Sequence, residues 1–269
     1  MKKVILVTGA SSGIGLACAN ELYAAGHTVY GSSRDLKRME SVSFKPIELD
    51  VTNETSVNSA YDKIISAEGK LDVLINNAGN SIVGPAYTTP VEMARQQFNV
   101  NFFGLIRMSG AVLPAMIAEN TGLIINISSL AGLFGLPYQS MYCASKHAVE
   151  GYSQSLRMEL RKTNVKIVVI NPGDYKTEIT ASREKFPLVI KNEKLLTDYN
   201  AMMSIVERDE NSAPDPEILG KEVVKIVASS NPSHRYLSGQ FSQRITPKLK
   251  SILPGSFFEK LMSGYFGIK

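Results

Sequence analysis

Tyr142 and Lys146 are the pair of residues whose types and spacing most directly suggest chemistry in this 269-residue sequence. They stand four positions apart in a stretch with a helical pattern, which places the phenol and the ammonium on one helix face. A free tyrosine has a pKa near ~10 and is a poor base at neutral pH, but a nearby positive charge stabilises its phenolate. The pair predicts an acid/base centre, although the same spacing also occurs in helices with a core tyrosine and a surface lysine.

A glycine-rich turn near the N-terminus predicts a binding site for a dinucleotide. An apolar run at residues 3–7 leads directly into Thr8-Gly9-Ala10-Ser11-Ser12-Gly13-Ile14-Gly15, and a helical pattern follows. Glycines let the backbone approach a pyrophosphate, and the helix N-terminus supplies free N–H groups and a positive dipole end. One glycine usually suffices for an ordinary strand–helix turn, so three of them favour the dinucleotide.

The apolar pattern predicts a frame that brings these residues to one edge of a sheet. Short β-branched runs at 28–32, 44–49, 73–76, 123–127, 166–170 and 235–237 join the first run at 3–7. Helical segments lie between them at 13–25, 56–68, 90–119, 142–162 and 216–229. Apolar strands that each precede a helix are typical of a parallel, doubly wound α/β sheet. We therefore expect one Rossmann-like domain of about seven strands over residues 1–269.

Two segments depart from the alternation of strands and helices. Residues 178–212 are polar and follow a strand end, where ligands bind in open α/β sheets, so we expect a substrate lid there. Residues 241–269 mix large apolar side chains with lysines. We interpret them as a packing segment and leave open a weak contact with a membrane surface.

Composition and charge argue against several other classes of protein. Hydrophobic residues make up 44% of the chain and charged residues 20%, a globular balance, and the net charge of +4 forms no basic stripe for nucleic acid. Cys18 and Cys143 are expected to be buried thiols, and the three separated histidines give no metal site. Neither a signal peptide nor a membrane-spanning run is expected, which predicts a cytoplasmic protein.

Four motifs together resemble the compact, single-domain branch of the short-chain dehydrogenase/reductase family. They are the Gly-x-x-x-Gly-x-Gly turn, Asn76-Asn77-Ala78-Gly79, Tyr142-x-x-x-Lys146 and Asn171-Pro172-Gly173, and the resemblance extends to about residue 240. Within the family the chain is most similar to hydroxysteroid and retinoid dehydrogenases. The resemblance implies an oxidoreductase that moves a hydride between NADP(H) and an alcohol/carbonyl pair.

The resemblance also assigns four catalytic residues. Ser129 matches the serine that binds the substrate oxygen, and strand alternation is expected to turn Ser128 the other way. Asn101 matches an asparagine that holds a water in a proton relay toward Lys146. Tyr142 is then the acid/base, and Lys146 tunes its pKa and contacts the ribose.

The expected cofactor contacts follow from the same resemblance. Ser33 stands where NAD-preferring members carry a carboxylate, and Arg34 can pair with the 2′-phosphate of NADP. A one-residue shift would instead place Asp35 at the ribose and favour NAD. The family usually has a small β-branched residue where Tyr175 stands, beside the nicotinamide. The complete expected set is Gly9, Ser11, Ser12, Gly13, Ile14, Gly15, Ser33, Arg34, Asp50, Val51, Asn77, Ala78, Gly79, Tyr142, Lys146, Pro172, Gly173, Tyr175 and Thr177.

The apolar stretch 133–138, between the serine and the tyrosine, should line the pocket mouth and predicts a small apolar carbonyl or alcohol substrate. Two alternatives stay open: a 3-oxoacyl carrier-protein reductase, which needs a basic patch near the mouth, and a non-catalytic NADP(H)-binding sensor or scaffold. The helices at 90–119 and 142–162 commonly form subunit contacts in the family, so we expect a homodimer or homotetramer.

Overall fold

A parallel seven-stranded sheet forms the centre of the protein, in a computed structural model that describes residues 1–177, 184–185 and 190–268. The strands in chain order are β1 Val4–Val7, β2 Thr28–Ser33, β3 Lys45–Glu48, β4 Val73–Asn76, β5 Ile82–Val83, β6 Gly122–Ile127, β7 Val165–Pro172, β8 Glu184–Lys185 and β9 Arg235–Ser238. Their order across the sheet is β3-β2-β1-β4-β6-β7-β9, while β5 and β8 form a separate parallel pair. The order reverses between β1 and β4, which is where open α/β sheets bind ligands.

Helices cover both faces of the sheet. The helices in the described part of the chain are α1 Gly13–Ala24, α2 Glu54–Glu68, α3 Val91–Phe98, α4 Gly104–Ala118, α5 Ser140–Glu159, α6 Glu193–Asn211, α7 Glu217–Ala228, α8 Phe241–Ile252 and α9 Gly255–Tyr265. Alternate residues of each strand point to opposite faces. Ile5 and Val7 therefore join the core under α1 and α7, whereas Val4 and Leu6 join the core under α2, α4 and α5. The predicted doubly wound parallel sheet is confirmed.

The predicted helix at 90–119 is interrupted at the place where it carries a candidate catalytic residue. A π-helical turn at Asn99–Phe103 separates α3 from α4, and Asn101 lies buried within it. Single π turns inside longer helices are frequent at functional sites. The apolar spacing of the sequence continues through the turn, so the pattern gave no signal for the interruption.

The helical run Val91–Ala118 contains an apolar window of a kind that was not expected from the sequence. Its 28 residues contain an 18-residue window of mean hydropathy 1.5, enough by length and composition to cross a membrane. However, 44% of that window is buried, and Met108, Val112 and Met116 pack in the core beneath the sheet. Burial against the sheet is the property of a core helix in a globular domain.

Candidate active site

The turn between β1 and α1 has three positions, 9, 13 and 15, at which the structure requires glycine. Gly9 and Gly13 have positive φ angles of 66° and 55°, a region that other residues avoid. A Cβ atom on Gly15 would overlap the Gly9 carbonyl oxygen and the Asn77 amide. Ser12 is the N-cap of α1 and its side chain makes no capping hydrogen bond. The first N–H groups of α1 and the Ser12 hydroxyl can therefore serve a phosphate, and this cradle fits the pyrophosphate of a dinucleotide.

Thr8 and Asn77 brace this turn against the end of β4. The Asn77 side-chain amide donates hydrogen bonds to the carbonyl oxygens of Thr8 (2.9 Å) and Gly9 (3.1 Å). The Thr8 hydroxyl accepts the N–H groups of Asn77 (2.9 Å) and Ala78 (3.0 Å). The sequence analysis predicted Asn77, Ala78 and Gly79 as cofactor contacts, but it missed Thr8, whose role appears only once β1 and β4 are adjacent.

Ser33, Arg34 and Asp35 take different positions at the end of β2. Ser33 is buried and its hydroxyl accepts the Asp35 N–H (3.2 Å), while the Arg34 side chain is exposed. Asp35 is the N-cap of a short 3₁₀ helix, Leu36–Met39, and accepts the Lys37 N–H (3.0 Å). Within the described residues, Arg34 makes no hydrogen bond or ion pair, so its charge is available to an anionic ligand.

Asp50 and Val51, two of the predicted cofactor contacts, follow β3 at the same edge of the sheet. The Asp50 carboxylate accepts both the N–H (2.9 Å) and the hydroxyl (2.8 Å) of Thr52, which fixes this turn. The Val51 side chain is buried against Gly104 of α4. A ligand can therefore reach Val51 through its backbone but not through its side chain.

Tyr142 and Lys146 lie one turn apart on α5, as the spacing predicts. The Lys146 ammonium is buried, sits 5.9 Å from the centre of the Tyr142 ring and donates to the Ile127 carbonyl (2.9 Å) at the end of β6. Burial lowers the pKa of Lys146 from 10.5 to about 8, and Glu150 partly opposes the shift. The cation is held close to the tyrosine in a setting of low dielectric, where its effect on a phenolate is strongest.

Asn101 is tied to the same helix by a chain of hydrogen bonds. Its amide nitrogen donates to the Asn80 carbonyl (3.0 Å) and to the Ser145 hydroxyl (3.1 Å), and its amide oxygen accepts the Asn80 N–H (2.9 Å). Ser145 in turn donates to the Tyr142 carbonyl (2.7 Å). Both amide protons of Asn101 are engaged, so a water in the predicted relay would have to meet an oxygen of this residue. The sequence analysis missed Asn80 and Ser145, although Ser145 stands inside the Tyr-x-x-x-Lys motif.

Ser129 follows β6 and faces the opposite way from Ser128. Ser128 is buried beside the Lys146 carbonyl, whereas Ser129 is half-buried and accepts the Ala131 N–H through its hydroxyl oxygen (3.1 Å). The hydroxyl proton of Ser129 can therefore be donated to a substrate oxygen. Asn171, at the end of β7, holds the Ser129 carbonyl at 2.9 Å and fixes this segment.

The segment after β7 reaches the glycine turn. Thr177 lies directly beside Gly13, since a Cβ on that glycine would be 3.2 Å from the Thr177 Cβ. Gly173 passes so close to Gln243 of α8 that a side chain there would overlap it. Tyr175, by contrast, turns its side chain into the core, where its hydroxyl lies 2.7 Å from the Ser238 hydroxyl. Only the backbone of Tyr175 can border a nicotinamide.

Apolar groups surround the segment between the serine and the tyrosine. Phe134 packs edge-on against Phe258 of α9 (5.8 Å between ring centres), and Tyr138 packs edge-on against Tyr199 of α6 (5.2 Å). The predicted lid at 178–212 therefore contributes a helix next to this segment, while residues 178–183 and 186–189 lie outside the described residues. These contacts place apolar side chains along the segment that was expected to line the pocket mouth.

Comparison with known proteins gives the family. The family model described as short chain dehydrogenase matches residues 3–187. The chain is 41% identical over 268 residues to a 3-ketodihydrosphingosine reductase of Bacteroides thetaiotaomicron, with 99% of both chains covered. It is 34% identical to an uncharacterized oxidoreductase of Bacillus subtilis, YusZ, with 97% of both chains covered. The chain belongs to the short-chain dehydrogenase/reductase family, which confirms the family inferred from its motifs.

Solved structures agree with this assignment. A short-chain dehydrogenase from Streptomyces avermitilis has a TM-score of 0.82 at 28% identity, covering 98% of this chain and 99% of its own. A serine dehydrogenase complexed with NADP⁺ has a TM-score of 0.76 at 26% identity (89% and 95% covered). A family member from Burkholderia phymatum in complex with NAD has a TM-score of 0.79 at 24% identity (93% of both). Both nicotinamide cofactors occur among proteins of this fold.

Proposed function

We propose that this protein is an NADPH-dependent reductase of a long-chain, apolar ketone of the type named in its Bacteroides relative, 3-ketodihydrosphingosine. The observation that carries the reaction class is the buried Lys146 ammonium held beside Tyr142, at the sheet edge that also carries Ser129 and the glycine cradle. As part of the same proposal, the enzyme works in the cytoplasm.

The protein's own residues bind the ketone oxygen and supply its proton. Ser129 donates a hydrogen bond to that oxygen, because its own oxygen already accepts the Ala131 N–H. Tyr142 gives its phenolic proton to the same oxygen, and the buried Lys146 cation stabilises the phenolate that remains. The nicotinamide, when bound, supplies the hydride that the carbonyl carbon takes up. Oxidation of the alcohol reverses these transfers.

The cofactor preference rests on the end of β2. Arg34 is exposed and available, and a serine rather than a carboxylate stands at position 33. The Asp35 carboxylate, the alternative ribose ligand, already accepts the Lys37 N–H as a helix cap. This arrangement favours a 2′-phosphate over a free ribose hydroxyl.

The substrate class rests on two observations that agree. The segment 133–138 and its partners on α6 and α9 offer an apolar mouth, where Leu136, Tyr138 and Met262 pack together with the buried methionines of α6. The relative with 41% identity over nearly the whole chain bears the name of a reductase of a long-chain lipid ketone. A long alkyl chain beside the reacting ketone would fit such a mouth.

The proposal is tested with a substrate panel followed by nicotinamide absorbance. The panel pairs 3-ketodihydrosphingosine with a ketosteroid, retinal and an acetoacetyl thioester, each with NADPH and with NADH. We expect the highest kcat/KM for the long-chain ketone with NADPH. Preference for the thioester would instead support the carrier-protein reductase, and tight NADPH binding without turnover of any ketone would support the sensor.

The Arg34→Ala variant tests the cofactor preference separately. Loss of a charge-assisted hydrogen bond should lower kcat/KM for NADPH by about ten- to a hundredfold and leave the value for NADH nearly unchanged. Arg95→Ala, an exposed arginine on α3, is the matched control. Equal losses with both cofactors would contradict a 2′-phosphate contact.

A further inference from the structure

Helix α8 presents an apolar row to solvent rather than to the core. None of its 12 residues is buried, and Phe241 and Ile252 are 78% and 69% exposed. With about 100° between successive residues, positions 241, 245, 248 and 252 share one face of the helix. That face therefore consists of Phe241, Ile245 and Ile252 with Lys248 among them.

The opposite side of α8 attaches the helix to the protein. Gln243 accepts the Asp174 N–H (3.1 Å) and Lys250 donates to the Leu133 carbonyl (2.6 Å). Because these contacts fix the orientation of the helix, the apolar row on its other side faces the solvent. An amphipathic helix of a globular protein ordinarily buries its apolar side.

Helix α9 repeats the arrangement. Phe258 and Phe266 are buried, whereas Phe257, Leu261 and Tyr265, spaced four residues apart, are exposed. Both helices of the C-terminal segment thus leave a row of large apolar side chains in solvent.

The charges of this segment are almost all positive. Apart from Lys250, which binds the Leu133 carbonyl, residues 241–265 contain Arg244, Lys248 and Lys260 against one carboxylate, Glu259. Exposed aromatic and aliphatic side chains combined with lysines are the composition that binds at the interface of an anionic bilayer, because the apolar groups enter the headgroup region and the cations pair with lipid phosphates.

The surface adjoins the segment 133–138, which was expected to line the pocket mouth. Phe258 packs on Phe134, and Lys250 holds the Leu133 carbonyl, both in the segment between Ser129 and Tyr142. A bilayer in contact with α8 and α9 would lie next to the apolar entrance described above.

We infer that the exposed face of α8 and α9 is a docking surface for an anionic lipid bilayer, through which a long-chain substrate reaches the pocket. The inference rests on the proposed function for the origin of the substrate, but the docking itself needs neither substrate nor cofactor. A second copy of this chain could cover the apolar rows, but its own cations would repel those of the first copy. An acidic protein would pair with the cations but would leave the exposed phenylalanines uncovered.

The test is flotation of the full-length protein with phosphatidylglycerol and with phosphatidylcholine vesicles. The double variant Phe241→Gln/Lys248→Glu changes the docking face, and Ile218→Gln/Lys63→Glu makes the same changes on exposed positions of α7 and α2. We expect the wild type to float with the anionic vesicles, the docking variant to lose at least about tenfold in partition coefficient, and the control to match the wild type. Thermal unfolding and NADPH binding of all three verify that the fold is intact.

The outcomes separate this inference from the proposed function. Absence of flotation by the wild type, or flotation of the docking variant equal to that of the control, overturns the docking surface even if the ketone is reduced. A wild-type oligomer that the docking variant dissociates in light scattering, without vesicles, also overturns it in favour of a second copy. Flotation of the wild type without reduction of the ketone would overturn the proposed function and leave the docking surface supported.

Discussion

Among single residues, the buried Lys146 ammonium beside Tyr142 has the strongest influence on the chemistry of the candidate site. The Tyr-x-x-x-Lys spacing placed Lys146 beside Tyr142, yet the spacing equally allows a surface lysine. Burial of its side chain and its bond to the Ile127 carbonyl come from β6, which is distant in sequence. The sequence thus predicted the pair, while the low dielectric that strengthens their interaction depends on long-range packing.

The Lys146 shift has a measurable consequence for stability. Between pH 8 and 10.5 the unfolded chain keeps this lysine protonated while the folded chain releases the proton, so stability rises with pH in that window. Below pH 8 both states are protonated, and the folded state carries the full penalty, on the order of 3 kcal/mol. We expect urea titrations without cofactor to show this rise in the protein with Lys146 and not in Lys146→Met.

Both proteins carry Tyr142→Phe in this comparison, because the pKa of that tyrosine depends on Lys146. Subtracting the free energy of unfolding of the Lys146→Met protein from that of the protein with Lys146 then removes the remaining tyrosines, which titrate in both. A difference between the two proteins that stays constant from about pH 7 to about pH 9.5 would contradict a lowered pKa for Lys146.

At the scale of elements, the strand–turn–helix units were predictable, because parallel buried strands and glycine turns leave local signals. The π turn that holds Asn101 was not, since the apolar spacing runs through it unchanged. The backbone near Tyr175 was expected to border the nicotinamide, and the sequence left the position of its side chain open. That side chain lies in the core, where its hydroxyl forms a hydrogen bond with the Ser238 hydroxyl on β9. Ser238 lies 63 residues further along the chain, so the local sequence around Tyr175 could not predict this contact.

Gly15→Ala tests the close fit of the glycine turn. The added methyl group would overlap the Gly9 carbonyl oxygen, so we expect a loss of about 1–3 kcal/mol of stability together with weaker NADPH binding. Gly264→Ala is the control, because nothing lies within 4 Å of its Cβ position in α9, away from the predicted subunit contact. It should instead gain about 0.5–1 kcal/mol, as helix interiors favour alanine. Equal effects of the two substitutions on thermal unfolding would contradict the steric argument.

In the whole molecule, exposed apolar side chains on the π turn, α4 and α5 favour the expected homo-oligomer. Phe103, Ile117 and Met158 are 45%, 43% and 60% exposed, on helices predicted to form subunit contacts. We expect light scattering to give a dimer or tetramer for the wild type and a smaller species for Met158→Asp, because a buried unpaired carboxylate is costly at an interface.

Ile218→Asp makes the same change on α7, where Ile218 is 56% exposed, and should leave the assembly intact. A monomeric wild type, or dissociation by the α7 substitution alone, would show that α4 and α5 do not form the contact.

Tyr142→Phe tests whether Tyr142 supplies the proton to the ketone oxygen. The substitution removes one oxygen and keeps the ring that packs near Lys146. With NADPH and 3-ketodihydrosphingosine, we expect kcat to fall by about 10²–10⁴-fold, while the Kd for NADPH, followed by nicotinamide fluorescence, stays within about threefold of the wild type. A variant that reduces the ketone at nearly the wild-type rate would contradict the account, since the proton would then come from another group.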